Sequence, residues 1–231
     1  MKQLKLKIAG SDSFAFTEAF KYLRTNLQFC GADVKVIGIT SCLENEGKSL
    51  VSINVAKAFA EMGKRTLFLD ADMRKSVIVG RYTNEKDAKG LSEILSGQVQ
   101  MNDALYQTNY ENLYVILCGA YPPNPAELIG SKYFDAMMTS LREYFDYIII
   151  DTPPLGSVID AAAIAIKCDG MVLVVGRNKL NSKLANEVVE QLKMTGTRIL
   201  GAVKNSINVK EKGYYKGYYN KKGYYYSGSK N

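Results

Sequence analysis

One lysine, one hydroxyl and three carboxylates carry most of the chemistry this sequence offers. Gly47-Lys48-Ser49 closes the stretch Cys42-Leu-Glu-Asn-Glu-Gly-Lys-Ser49. Such a triplet ends a phosphate-binding loop. Backbone N–H groups and a helix N-terminus turn toward one anion, the lysine adds charge, and the hydroxyl is offered to Mg²⁺. The full pattern has a glycine five residues before the loop's last glycine, and here that position is Cys42. Downstream, Arg65-Thr-Leu-Phe-Leu-Asp70-Ala-Asp72-Met-Arg74 is an apolar run ending in Asp-x-Asp-x-Arg. Ligands of α/β sheets sit beyond the carboxyl ends of strands, so two carboxylates there can divide the work, one on a metal ion and one on a proton. Phe145-Asp-Tyr-Ile-Ile-Ile-Asp151-Thr-Pro-Pro154 is a second such run, with the shape of a Walker B element whose aspartate holds Mg²⁺, usually through water.

The elements that must position these groups follow from the apolar pattern. Val34 to Thr40 is a short β-rich run of the buried parallel kind. Ser52 to Met62 carries Ile53, Ala56, Phe59 and Ala60 at helical spacing, with Gly63 as its stop. Strands are also expected at Leu113–Leu117, Met171–Val175 and Arg198–Val203. Helices are expected at Gly90–Leu95, from the proline-rich turn at 119–128 to about Tyr144, at Ile159–Lys167 and at Asn181–Met194. Residues 1–12 read as a loose lead-in and Ser76 to Lys89 as a polar excursion. Strand and helix alternate throughout, which predicts an α/β fold with a doubly wound, mostly parallel sheet. Ser13 to Phe29 reads as a helix with Phe16, Ala19, Phe20, Leu23 and Leu27 on one stripe. Glu18, Lys21 and Arg24 line its adjoining polar face, for which solvation alone is a sufficient account.

Composition narrows the class. No apolar run approaches the ~20 residues needed to span a bilayer, and Met-Lys-Gln-Leu-Lys-Leu-Lys lacks the apolar core of a signal peptide, so a cytoplasmic location is expected. Four scattered cysteines without CxxC spacing favour reduced thiols over a zinc site. With no histidine, Ser-His catalysis and His-ligated metals are excluded, and a proton acceptor falls to a carboxylate. The net charge is +7, of which +6 lies between Lys204 and Asn231. Within that tail three Gly-Tyr-Tyr units place Tyr214, Tyr215, Tyr218, Tyr219, Tyr224, Tyr225 and Tyr226, with no aliphatic residues among them to build a core. Residues 210–231 are therefore expected to be a disordered tail on a domain spanning 1–209. The tail reads as a sticky extension, a stacking surface for nucleic acid, or a substrate offered to a phosphotransfer site.

Phosphate loop, Asp70-x-Asp72-x-Arg74, Asp151-x-x-Pro154 and terminal tyrosines, in that order, resemble the bacterial tyrosine kinases that regulate capsule and exopolysaccharide synthesis, in the form whose kinase is a separate chain. The resemblance covers residues 13–231 and implies a P-loop NTPase-like fold related to the division and partition ATPases. It implies an ATP- and Mg²⁺-dependent protein-tyrosine kinase that autophosphorylates its tail cluster in trans. Glu46, Gly47, Lys48, Ser49 and Leu50 would bind nucleotide; Ser49, Asp72 and Asp151 would hold Mg²⁺ directly or through water. Asp70 would accept the tyrosine proton, with Lys48 and Arg74 completing the catalytic set. Asn205, just after the last strand, is a candidate adenine contact. Glu18-x-x-Lys21-x-x-Arg24 is similar to the family's Glu-x-x-Arg-x-x-Arg subunit-contact helix, with a lysine that cannot form the bidentate fork of arginine. The implied partners are a membrane-anchored activator of the polysaccharide co-polymerase type, which would recruit the kinase to the inner face of the plasma membrane, further copies in a ring while unphosphorylated, and a tyrosine phosphatase. Nucleic acid is not among them. A partition-type ATPase shares the fold, but many of those carry a lysine just after the loop's opening, where this chain has Leu43, and that reading leaves the Gly-Tyr-Tyr units without a purpose. A Lys/Tyr nucleic-acid binder leaves the loop and three carboxylates without one.

Overall fold

The structure, a computed structural model, describes residues 2–8, 14–156, 158–176 and 182–205. In chain order its first half contains β1 (Lys2–Leu4), α1 (Phe14–Gln28), β2 (Val36–Ser41), α2 (Lys48–Ala60), β3 (Thr66–Asp70), α3 (Ile78–Arg81), α4 (Leu91–Leu95) and α5 (Met101–Ala104). The second half contains β4 (Tyr106–Thr108), β5 (Leu113–Ile116), α6 (Pro125–Ile129), α7 (Lys132–Tyr144), β6 (Tyr147–Asp151), α8 (Asp160–Ala165), β7 (Gly170–Val175), α9 (Ser182–Met194) and β8 (Ile199–Lys204). The strands form one sheet in the order β1-β4-β5-β3-β6-β2-β7-β8, parallel except for the β4–β5 pair.

Each central strand is apolar along its length because both faces are covered. Leu67, Leu69, Ile148 and Ile150 join Phe134, Leu141, Ile164 and Leu192 of α7, α8 and α9 on one side. Their alternate neighbours Phe68 and Ile149 join Val51, Val55 and Phe59 of α2 on the other. Helix α2 lies between the sheet and α1, which is why nearly all its residues are buried and it carries no polar face.

The register of this sheet makes the site. Asp70, the last residue of β3, is paired with Asp151, the last residue of β6, and Asp151 is paired in turn with Ile39 of β2. β3 and β6 therefore end level, β2 runs two residues further to Ser41, and the loop after it opens at the same edge as both carboxylates. Ala71 donates its N–H to the Asp151 carbonyl at 2.9 Å, and Leu155 donates to the Ser41 carbonyl at 2.9 Å, so the turns beyond the strands are tied together.

Three expectations need correction. Residues 2–8 are not a loose lead-in: Lys2–Leu4 pairs in parallel with β4, and Leu4, Leu6 and Ile8 are buried while Lys5 and Lys7 face outward. That alternation is a strand signal with period two. The polar excursion at 76–89 is anchored by buried Ile78, Tyr82 and Thr83 around the short α3. Residues 101–108, for which no element was expected, supply α5 and β4. The expected disorder of 210–231 and the seven tail tyrosines lie outside the described residues.

Candidate active site

The phosphate loop runs from Cys42 to Gly47 between β2 and α2. Its left-handed residues are Asn45, with φ 62°, and Gly47, with φ 93°. Cys42 is not among the positive-φ residues, so the glycine of the full pattern is not required there for backbone freedom. Burial pushes the Cys42 thiol up to about 11, leaving it a small apolar filler beneath the loop. Gly47 is a different case. A Cβ there would collide with the Asn205 side-chain amide, which donates to the Glu46 carbonyl at 2.9 Å. Gly47→Ala is expected to cost at least the ~1–2 kcal/mol of left-handed strain, together with nucleotide affinity. Asn205→Ala in the same chain should recover the part due to collision, as read by denaturant melts and nucleotide titration.

Glu46 turns its carboxylate away from the cleft. Its two oxygens accept the Leu43 N–H at 2.9 Å and the Gly176 N–H at 3.2 Å, bracing the loop against the end of β7. Its side chain is therefore a brace for the loop, whose backbone N–H groups are the ones expected to take phosphate. Asn205 likewise holds the loop, through the Glu46 carbonyl.

Lys48 begins α2, and its ammonium meets the Asp72 carboxylate at 2.7 Å in a buried ion pair. Burial works against the lysine charge, but Asp151, Asp72 and Asp70 more than offset it and raise the pKa. The other oxygen of Asp72 caps the following turn, accepting the N–H groups of Arg74 at 3.4 Å and Lys75 at 3.0 Å. Asp70 is fully buried. Burial first, and then the Asp151 charge, push its carboxyl up to about 7, against the donor effect of the Ser76 hydroxyl bonded to it. Asp151 is also fully buried and is raised by burial, with Lys48 opposing. Neither of its oxygens accepts a hydrogen bond among the described residues.

This arrangement places three carboxylates and one ammonium in a desolvated cluster, a formal excess of two negative charges when all are ionised. An unpaired buried carboxylate is costly, and the excess is what one divalent cation offsets. Among the described residues no three acidic or thiol side chains converge into a metal cage. Mg²⁺ in phosphate sites uses one or two carboxylates and keeps waters and phosphates for the rest, and Asp72 and Asp151 could supply such carboxylates. Ser49 and Leu50 line the adjoining cleft with Gly47, Lys48 and Asp72, and Pro153 closes its far wall.

Arg74 borders the same cleft but is not free. Its guanidinium grips Asp160, at the start of α8, through two hydrogen bonds. Ser76 and Asp160 were missed in the sequence because a serine in a polar stretch and an acid in a helix's first turn are ordinary there. On α1, Lys21 pairs with Glu18 at 2.8 Å, whereas Arg24 leaves the solvated face and donates to the Ala58 carbonyl of α2 at 3.1 Å.

A family model described as an AAA domain matches residues 34–209. The chain is 45% identical over 192 residues to the tyrosine-protein kinase CpsD of Streptococcus pneumoniae serotype 4, covering 83% of this chain and 85% of that one. It is 35% identical over 208 residues to the tyrosine-protein kinase YwqD of Bacillus subtilis, covering 89% and 87%. The crystal structure of the chimerical protein CapA2B2 superimposes with a TM-score of 0.80 at 29% identity, over 90% of this chain and 94% of that one.

Proposed function

This chain belongs to the bacterial tyrosine-protein kinase family and is a protein-tyrosine kinase; from that premise we propose that it transfers the γ-phosphoryl group of ATP to the tyrosines of its own C-terminal segment, in trans. The observation that carries this reading is the level ending of β3 and β6, which sets a buried base and an unpaired buried carboxylate beside the lysine of a phosphate loop.

ATP would lie with its β- and γ-phosphates on the N–H groups of Gly47, Lys48 and Ser49 at the start of α2. Lys48 would exchange Asp72 for the phosphates, a short movement because the ammonium already stands at the cleft. Ser49, Asp72 and Asp151 would hold Mg²⁺, which supplies charge neutralisation to the transferring group. An acceptor tyrosine, with an ordinary pKa near 10, is a poor nucleophile at neutral pH. Its oxygen would bond to the γ-phosphorus as the bond to the β-phosphate oxygen breaks, its proton passing to Asp70 and ADP leaving. A carboxyl with a pKa near 7 is suited to that proton.

The trans assignment is supported by where the segment starts. Asn205, tied to the loop through the Glu46 carbonyl, stands nine residues before Tyr214, a short tether for setting that tyrosine in line with the same chain's γ-phosphate. A ring of copies making contact through the helix bearing Glu18, Lys21 and Arg24 would supply a neighbour's cleft. Each phosphotyrosine adds about −1.5 to −2 charges, so four bring the +6 segment near zero. Full modification is expected to release the ring. Light scattering should show smaller particles after exhaustive autophosphorylation, and an unchanged mass would contradict the switch.

No helix among the described residues is long and apolar enough to cross a membrane, so recruitment to the membrane would rest on an anchored activator, with a phosphatase resetting the cycle. Regulation of capsule or exopolysaccharide synthesis is the physiological side of the proposal. A chromosomal Lys48→Met substitution should alter surface polysaccharide without changing kinase abundance. The direct test is incubation of the full-length chain with γ-labelled ATP, Mg²⁺ and host membranes. Label on tyrosine is expected; none would remove the assignment.

A further inference from the structure

Arg74 is attached to the cleft by its partner rather than by its own backbone alone. Its Nε and one terminal nitrogen donate to the two carboxylate oxygens of Asp160 at 2.6 and 2.9 Å, a bidentate fork. The two ends differ in setting: the Asp160 side chain is 2% exposed, while that of Arg74 is 43% exposed. Asp160 is thus a fixed anchor in the wall behind the cleft, and the guanidinium stands at the surface of that wall. Gripping through Nε and one terminal nitrogen uses one edge of a planar group that has five N–H donors. The remaining terminal nitrogen has no partner among the described residues, and Arg74 lines the cleft that also contains Lys48, Ser49 and Asp72.

We propose that Asp160 is a positioning residue for phosphotransfer, which holds Arg74 with its unused edge toward the transferring phosphoryl group. The inference rests on the reading that Arg74 acts in that cleft. A free arginine would have to freeze its rotamers on meeting the phosphate. Here the grip freezes them beforehand, and donors held in place before charge develops favour the transition state over bound substrate. Lysine could not replace Arg74, because an ammonium lacks the fork that accepts the anchor on one edge and the phosphate on the other.

An acid in the first turn of a helix also has an ordinary structural use, so the test has to separate the two. The full-length chain and its variants are assayed with ATP, Mg²⁺ and host membranes, using the Lys48→Met chain as acceptor. Arg74→Ala is expected to lower kcat about 100-fold. Asp160→Asn alone should lower kcat about 10-fold, with KM for ATP changed less than about 3-fold. In the Arg74→Ala background, Asp160→Asn should cause no further loss. If Arg74→Ala keeps wild-type kcat, the role of Arg74 fails and this inference with it. If Arg74→Ala loses activity while Asp160→Asn does not, only the positioning role fails. Equal losses from Asp160→Asn in both backgrounds would mark Asp160 as structural and overturn the proposal. Should Asp160→Asn not fold, Arg74→Lys takes its place: a kcat within about 3-fold of Arg74→Ala supports the fork, and a wild-type kcat overturns it.

Discussion

Lys48→Met is expected to reduce tyrosine phosphotransfer by about 10³-fold or more in kcat, since it removes the phosphate-loop ammonium that would meet the phosphates. The same change should be felt before any nucleotide binds. Lys48 and Asp72 form a buried pair at 2.7 Å, and Asp70 and Asp151 lie in the same desolvated cluster. Breaking a buried pair by deleting one partner costs about 3–5 kcal/mol, because a charge is left behind without compensation. Metal-free Lys48→Met should therefore melt well below the wild type in parallel denaturant titrations. Adding Asp72→Asn should return part of that loss, since the stranded carboxylate is removed as well. A Lys48→Met chain as stable as the wild type would mean that the cluster is already neutral by protonation.

Asp70→Asn is expected to move activity and stability in opposite directions. The amide cannot accept the tyrosine proton, so kcat should fall by about 10²–10⁴-fold. ATP affinity should change little, because Asp70 contacts Ser76 and not the phosphate loop. In the metal-free protein the folded Asp70 carboxyl stands near 7 against an ordinary 3.8. Between those values the folded state holds a proton that the unfolded chain has released, so the stability contributed by this group falls as pH rises from about 4 to about 7 and stays low above that. Asn removes the penalty. The variant should gain on the order of 3 kcal/mol at pH 8 and almost nothing at pH 4. Urea midpoints at the two pH values check this. A gain that is the same at both would show that ionisation of Asp70 is not the cause. An active site that costs stability when empty is the usual form of the stability–activity trade-off.

The donor half of the site was legible because its signals are local. An apolar run ending in aspartate predicts both a buried strand and a carboxylate at its end, and β3 and β6 deliver Asp70 and Asp151 in this way. The neighbouring Gly-Lys-Ser triplet adds the helix start. What the residues alone did not disclose is register. Nothing in either run says that Asp70 is paired with Asp151, yet that pairing adds the Asp151 charge to the burial that raises the base. The roles of Glu46 and Asp160 were hidden for the same reason. Each binds a group more than 80 residues away, Glu46 at Gly176 and Asp160 at Arg74. The three-residue strands β1 and β4, at one end of the sheet, were missed because each is too short for its alternation to stand out. Cys42 illustrates the converse: a departure from a pattern that brings no left-handed strain, because φ there is not positive.

Acceptor and donor can be separated in one experiment. A full-length chain with Tyr214, Tyr215, Tyr218, Tyr219, Tyr224, Tyr225 and Tyr226 all replaced by Phe keeps the catalytic site but offers no tail acceptor. It is mixed with full-length Lys48→Met, which keeps the tail but cannot transfer. Both are incubated with γ-labelled ATP, Mg²⁺ and host membranes, and phosphotyrosine is mapped by mass spectrometry. Label on the tail tyrosines of the Lys48→Met chain, and none when either protein is incubated alone, is the predicted result. An unlabelled Lys48→Met tail in the mixture, while wild type alone labels its own, would contradict transfer between subunits.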